Sequence, residues 1–319
     1  MEGAETMLLI EEKQVREILT PEKCVAAMRQ AFMDLENGKC DMPQRLICKL
    51  PNTAAFGFMP AYVGNYFGAK VIAAYAPNMG TEYPSHIGYV MLFESEHCTV
   101  SGLIEAGSIT EIRTGCVSAV ATDLLAKKDA HCLALIGAGA QARSHLAAIR
   151  LMRPIDQVRV FDLNEKASLR FQKEAEAKYG LPVTVCASVE EAVREADIIC
   201  TLTPAKEAYL TKAMVRPGTH VNAVGTFSPV TREAASDLVA AARLYSDHTP
   251  ACRKESGEYL VPLQEGLIGE DHILGSIGEL LLGRAPGRQT DSDITLFDAL
   301  GLAVEDIAAA RLVYEEAVR

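Results

Sequence analysis

From about residue 131 the chain alternates short apolar runs with helical stretches, and this pattern restricts the fold more than any other feature. Leu133-Ala134-Leu135-Ile136 is a continuous apolar run, as expected of a strand buried on both faces. A helical stretch follows over residues 141 to about 152. Val158-Arg159-Val160-Phe161 is the next strand, and the helix Glu165–Tyr179 follows it. Residues 183–186 form a third strand, and Ser188 reads as the N-cap of a helix with Glu190 and Glu191 in its first turn. Residues 198–202, 220–224 and 243–246 complete six predicted strands. Six strands with helical crossovers predict an α/β fold: a doubly wound parallel sheet of the Rossmann type.

The first ~115 residues read differently. Residues 21–37 form one amphipathic helix, with Val25, Met28, Phe32 and Leu35 at helical spacing. Strand-like pieces follow at residues 45–48, 68–72 and 88–93, with Gly and Pro between them. A separate α+β domain is expected there. Residues 108–126 read as a helix bridging the two domains, and the tail from Phe297 onward reads as a further helix that returns to the first domain. The expected division is residues 1–117 with 296–319, and residues 118–295.

Composition excludes several classes. Apolar residues make up 49% of the 319, enough for a full core. No apolar run approaches the ~18 residues of a membrane span. The start, Met1-Glu2-Gly3-Ala4-Glu5, lacks the features of a signal peptide. Nine scattered cysteines without a C-x-x-C suggest reduced thiols and a cytoplasmic protein. A net charge of −11 disfavours nucleic acid and anionic membranes as partners. The seven histidines are isolated, so no structural metal is expected.

Gly137-x-Gly139-x-x-Ala142 follows a buried strand and opens a helix, the context in which a glycine loop binds the pyrophosphate of a dinucleotide. Gly137 permits the tight turn, Gly139 the approach of pyrophosphate, and Ala142 close helix–strand packing. The helix N-terminus adds free N–H groups and partial positive charge. Asp162 ends the second strand, where a carboxylate accepts from a ribose 2′-OH and repels a 2′-phosphate, so NAD is expected over NADP. Thr201, Thr203 and Pro204 end the fourth strand, and Asn222 to Gly225 end the fifth, at the carboxyl edge where ligands bind.

With these stretches the chain resembles the ornithine cyclodeaminase/mu-crystallin family over nearly its whole length. The matching segments are Met42-Pro43-Gln44-Arg45, Met59-Pro60-Ala61, Gly68-Ala69-Lys70, residues 109–114, residues 137–141, Asn222-Ala223-Val224-Gly225, Gly287-Arg288-Gln289 and Leu296-Phe297-Asp298. The resemblance implies a homodimer whose reaction moves a hydride between nicotinamide and the α-carbon of a small amino or imino acid. It implies carboxylate-binding roles for Arg45 and Arg113 and an active-site role for Lys70. Those roles suit the planar fork of Arg and the depressed pKa of a desolvated Lys. It also implies cofactor contacts at Ser85, Arg113, Thr114, Gly137, Gly139, Ala140, Gln141, Thr203, Val221, Asn222, Ala223 and Val224, and a substrate-side position for Leu300 in the last helix.

Two positions depart from the cyclodeaminase pattern. Gly57 and Phe227 stand where ornithine cyclodeaminase carries a Glu and an Asp that handle the substrate's amino groups. Phe227 and Phe58 make the expected pocket apolar, which suits a ring or an uncharged side chain. The leading expectation is therefore an NAD(H)-dependent oxidoreductase of an amino acid or cyclic imino acid. Cyclodeamination of a diamino acid and a non-catalytic dinucleotide-dependent binding protein are the alternatives. His86, Cys116, Glu255 and Glu258 read as ordinary structural or loop residues.

Overall fold

The structure, a computed structural model, describes residues 7–52, 54–78 and 81–319. The chain divides into two compact units, Met1–Arg113 with Leu302–Arg319, and Thr114–Gly301.

The first unit is built on a seven-stranded sheet. Its strands are β1 (Leu8–Ile10), β2 (Cys40–Asp41), β3 (Leu46–Lys49), β4 (Ala55–Val63), β5 (Tyr66–Ala74), β6 (His86–Glu94) and β7 (Val100–Glu105). They run in the order β1-β7-β6-β5-β4-β2, with β3 also on β4, and only the β1–β7 pair is parallel. The expected pieces at 68–72 and 88–93 lie within longer strands, β5 and β6, while the piece at 45–48 is β3 shifted by one residue. Residues 55–63 carry no clear strand pattern because Gly57 and Pro60 interrupt the alternation. Met59, Ala61, Val63, Val90 and Leu92 point to one face and are buried. The helix Ala303–Ala317 packs against that face. Its three consecutive alanines at 308–310 let it approach the strands closely. Beside it lies the helix Pro21–Glu36, capped by Thr20, started by Pro21, and burying Val25, Met28 and Phe32 as its spacing predicts.

The second unit is an eight-stranded, wholly parallel sheet. Its strands are β8 (Cys132–Ile136), β9 (Gln157–Phe161), β10 (Val183–Val185), β11 (Ile198–Thr201), β12 (His220–Ala223), β13 (Arg243–Ser246), β14 (Ile273–Ser276) and β15 (Thr295–Asp298). The order is β10-β9-β8-β11-β12-β15-β13-β14. Every residue of β8, β11, β12 and β15 is buried, as the centre of a parallel sheet covered on both faces requires. Ser188 caps its helix through Glu191 N, as expected.

Two expectations need correction. The parallel sheet has eight strands rather than six, because β14 and β15 are short segments closed by polar residues, Ser276 and Asp298. The tail is also not one helix from Phe297. Residues 295–298 are the strand between β12 and β13, and the chain then turns at Gly301, whose φ is +76°, before the last helix begins at Ala303. The segment 296–301 therefore belongs with the second unit, contrary to the expected division at 295/296. Leu300 lies in that loop rather than in the helix. Its side chain is 5% exposed in the core of the second unit, and Asp247 accepts its N–H at 2.7 Å.

Candidate active site

Within the first unit, Lys70 sits in the middle of β5, opposite Met59 on one side and Val90 on the other. That register turns it to the face covered by the last helix, where it is 3% exposed. An ammonium cannot stay buried without a partner. Here the last helix supplies Asp306, whose Oδ2 lies 2.7 Å from Lys70 Nζ. Thr110 Oγ1 accepts from the same nitrogen at 3.4 Å. Arg113, 5% exposed, donates Nε to Asp306 Oδ1 at 3.1 Å and Nη1 to Glu305 Oε2 at 2.5 Å. The result is a buried cluster of two cations and two carboxylates. Burial lowers the Lys70 pKa, and the Arg113 charge lowers it further, while Asp306 opposes both. Burial also pushes the Glu305 carboxyl up against the pull of Arg113. Glu305 has a second task, since its Oε1 accepts Leu302 N at 3.1 Å and caps the helix start.

Lys70 and Arg113, both expected, thus come together through Asp306. The expectation missed Glu305 and Asp306. Their sequence signal was two adjacent carboxylates in a helix otherwise made of Ala, Val, Ile and Leu at its start. Buried there, they demand cations. Arg45 is half-buried just before β3. Extending the β3–β4 register by one residue sets it opposite Met59, the neighbour of Lys70. Gly57 lies on the Lys70 face as well. A Cβ there would meet Ile72 Cγ2 at 3.2 Å and Ile47 Cδ1 at 3.3 Å, so aliphatic groups fill the place of a carboxylate. Ser85 enters β6 with its Oγ 3.2 Å from His86 Nδ1.

In the second unit the loop after β8 meets the needs of a pyrophosphate. Gly137 has φ +104°, and a Cβ on it would lie 3.0 Å from Leu202 O. A Cβ on Gly139 would meet nothing within 4 Å, so the space before the helix Ala140–Ile149 is open. No side chain caps that helix start, which leaves its N–H groups for a ligand. Asp162 Oδ2 accepts Ala138 N at 2.8 Å and Oδ1 accepts Asn164 N at 2.8 Å. The carboxylate thus ties β9 to the glycine loop, a job the sequence reading did not assign, and a carboxylate retains lone pairs for a ribose hydroxyl. The residues fit a dinucleotide: the backbone N–H groups of residues 139–141 would take the pyrophosphate, since those of Gly137 and Ala138 are given to Phe161 O and Asp162, while Asp162 would take the ribose and the loops after β11 and β12 the nicotinamide half.

Those loops carry Thr203 and residues 221–225. Val221 and Asn222 are fully buried. Asn222 Oδ1 accepts from His220 Nε2 at 3.2 Å, and Nδ2 donates to Thr122 Oγ1 at 3.2 Å. Its side chain is thus spent inside the sheet, and only backbone remains for a ligand. Thr203 and Gly225 both bond to Glu233, another residue the sequence reading passed over. Thr114 begins this unit, partly buried, and Phe227 projects from the loop after β12 with 60% exposure.

These features define a two-unit α/β protein with a dinucleotide fold and a separate unit bearing a buried Lys–Arg–carboxylate cluster. Residues 4–319 match the family model described as ornithine cyclodeaminase/mu-crystallin family. The Δ1-pyrroline-2-carboxylate reductase of Bacillus cereus is 36% identical over 79% of this chain and 77% of its own. A solved structure of Thermococcus litoralis Δ1-pyrroline-2-carboxylate reductase, in complex with NADH and L-proline, superposes with a TM-score of 0.95 at 33% identity, covering 98% of both chains. An archaeal alanine dehydrogenase, solved as a dimer with bound NAD, gives a TM-score of 0.92 at 29% identity, covering 98% of this chain and 96% of its own. The chain belongs to the ornithine cyclodeaminase/mu-crystallin family and is an NAD(H)-dependent oxidoreductase within it.

Proposed function

We propose that this enzyme reduces a small cyclic α-imino acid, of the pyrroline- or piperideine-carboxylate type, to the cyclic amino acid. The observation that carries the reading is Lys70, a lysine buried on a sheet face and tied to Asp306 and Thr110 beside Arg113. When bound, the nicotinamide supplies the hydride that adds to the C=N carbon. The chain's own residues do the rest. Arg45 and Arg113 hold the carboxylate. Lys70 in its ammonium form gives its proton to the imine nitrogen, and in the reverse direction neutral Lys70 takes it back. Aliphatic groups surround Gly57 in the first unit, and position 227 of the second carries a phenyl ring, so neither position offers a carboxylate to a second amine. This argues against diamino-acid cyclodeamination, which needs carboxylates at those positions.

The same reading includes a homodimer in a reducing compartment such as the cytoplasm. Phe56, Phe58, Tyr62, Ile87 and Met91, between 38% and 57% exposed, share the outward face of the first sheet, a surface that a second copy would cover. No disulfide joins cysteines among the described residues, and no described helix is long and apolar enough to cross a membrane. The test is NADH oxidation, followed at the nicotinamide absorbance, with five- and six-membered cyclic imino acids and with pyruvate plus amines. Turnover of a cyclic imino acid is expected. Ammonia release from ornithine in its place would establish the cyclodeaminase reading. No turnover with any of them, alongside tight NADH binding, would establish a binding protein.

A further inference from the structure

The loops after β11 and β12 follow neighbouring parallel strands, with Thr201 paired to Ala223. The ladder between them ends with Val224 N donating to Thr201 O at 3.1 Å. Past that bond a carboxylate ties the two loops. Glu233 Oε1 accepts Thr203 N at 2.8 Å, Thr203 Oγ1 at 2.6 Å and Tyr209 OH at 2.8 Å, while Oε2 accepts Gly225 N at 2.8 Å. Glu233 is fully buried. Among the described residues no Lys, Arg or His lies within ion-pair distance of it, so these four donors carry its solvation. Its own N–H is held by Glu258 Oε1 at 2.7 Å, and Glu258 also accepts Thr226 Oγ1 at 3.1 Å. The glycine opposite is obligatory. A Cβ at Gly225 would fall 2.1 Å from Thr203 O, 2.4 Å from Thr203 N and 2.6 Å from Glu233 Oε2. The two loops are thus pressed together at one point, with Glu233 as the clasp.

We propose that Glu233 is a positioning residue for the cofactor: it fixes the spacing of the Thr203 and Gly225 loops that receive the nicotinamide half of NAD(H). It touches neither cofactor nor substrate and acts through those two backbones. The inference rests on the dinucleotide placement proposed for the second unit. Glu233→Gln is the sharp test, because an amide offers only one acceptor oxygen. Its NH₂ must then face either the Gly225 N–H or the Thr203 and Tyr209 donors, so one side of the clasp opens.

The experiment compares wild type, Glu233→Gln, Gly225→Ala and Tyr209→Phe by NADH fluorescence titration and by steady-state kinetics in both substrates. Glu233→Gln should raise the Kd and KM for NADH about tenfold, with kcat at saturating NADH and the KM for the imino acid within about twofold of wild type. Gly225→Ala, which wedges the loops apart with the carboxylate intact, should raise the Kd and KM for NADH in the same direction, with no constancy of kcat required of it. It keeps the proposal open to test if the Gln variant does not fold. Tyr209→Phe removes one donor without parting the loops and should leave the NADH constants within about twofold. An unchanged KM for NADH in both loop-opening variants would overturn the proposal. So would a uniform loss of kcat and both KM values alongside a lowered Tm, the signature of a merely structural residue. Wild type that fails to bind NADH would overturn the dinucleotide placement as well, and would be seen before any substitution.

Discussion

The two sheets expose their chemistry in different ways. The eight-stranded sheet is parallel and its central strands are buried on both faces, so few side chains there can reach a ligand. What it presents is backbone: an open glycine loop, an uncapped helix start and two loops held by Glu233. The seven-stranded sheet is mostly antiparallel and alternates. One face is apolar and exposed, while the other hides Lys70 beneath a helix that brings Glu305 and Asp306. Backbone recognition suits a cofactor whose phosphates are the same whatever the substrate. Charged side chains on an alternating sheet suit the variable part of the reaction, since one substitution alters one contact without disturbing the ladder. The lesson is a division of labour by sheet type.

This contrast makes ranked predictions. The largest effect is expected at the side-chain site: Lys70→Ala should lower kcat by roughly 10²–10⁴-fold, the usual worth of a positioned proton donor, while NADH titration stays normal. Loss of NADH binding together with activity would blur the division between the sheets. Next comes the exposed face. Phe58→Asp should raise the dimer dissociation constant about a hundredfold or more by sedimentation, because two-fold symmetry buries two uncompensated carboxylates. Unchanged mass would remove this face as the contact. At the backbone site, Gly137→Ala forces a residue into φ +104° against Leu202 O. Strain of about 1–3 kcal/mol should weaken NADH several-fold to a hundredfold while sparing the imino-acid KM. Asp162→Asn should shift the NADH/NADPH preference about tenfold toward NADPH, by removing the charge that repels a 2′-phosphate. A smaller change is expected from Asp306→Asn. Asp306 holds the Lys70 pKa up against burial, so its loss lowers that pKa further. On the proposed mechanism Lys70 acts as an ammonium in reduction, so activity should fall as pH rises through its pKa. The alkaline limb of kcat/KM should therefore move to lower pH, and a limb that stays put would detach Asp306 from Lys70.

Elements specified by near neighbours in the chain are legible in the sequence. The helix Glu165–Tyr179 and the strand Arg243–Ser246 begin and end where their periodicity and flanking residues indicate. The cap at Ser188 and the turn at Gly137 follow from side-chain chemistry and from the freedom of glycine. β14 and β15 were missed because four residues closed by Ser276 or Asp298 carry too little pattern to tell a strand from a loop. Leu300 was assigned to the last helix because nothing in Ala299-Leu300-Gly301-Leu302 marks the turn except one glycine.

By itself, then, the sequence determined a doubly wound sheet, its glycine loop, the second α+β unit and the motifs that contain Lys70 and Arg113. Each of these is written in neighbours two to four residues apart, or in motifs read as a block. Only the tertiary structure decided what surrounds them. Arg113 and Asp306 lie 193 residues apart in the chain, and Glu233 reaches back 30 residues to Thr203. Nothing local records such pairings. They arise because a charge taken out of water must find its counter-charge or its donors wherever packing brings them.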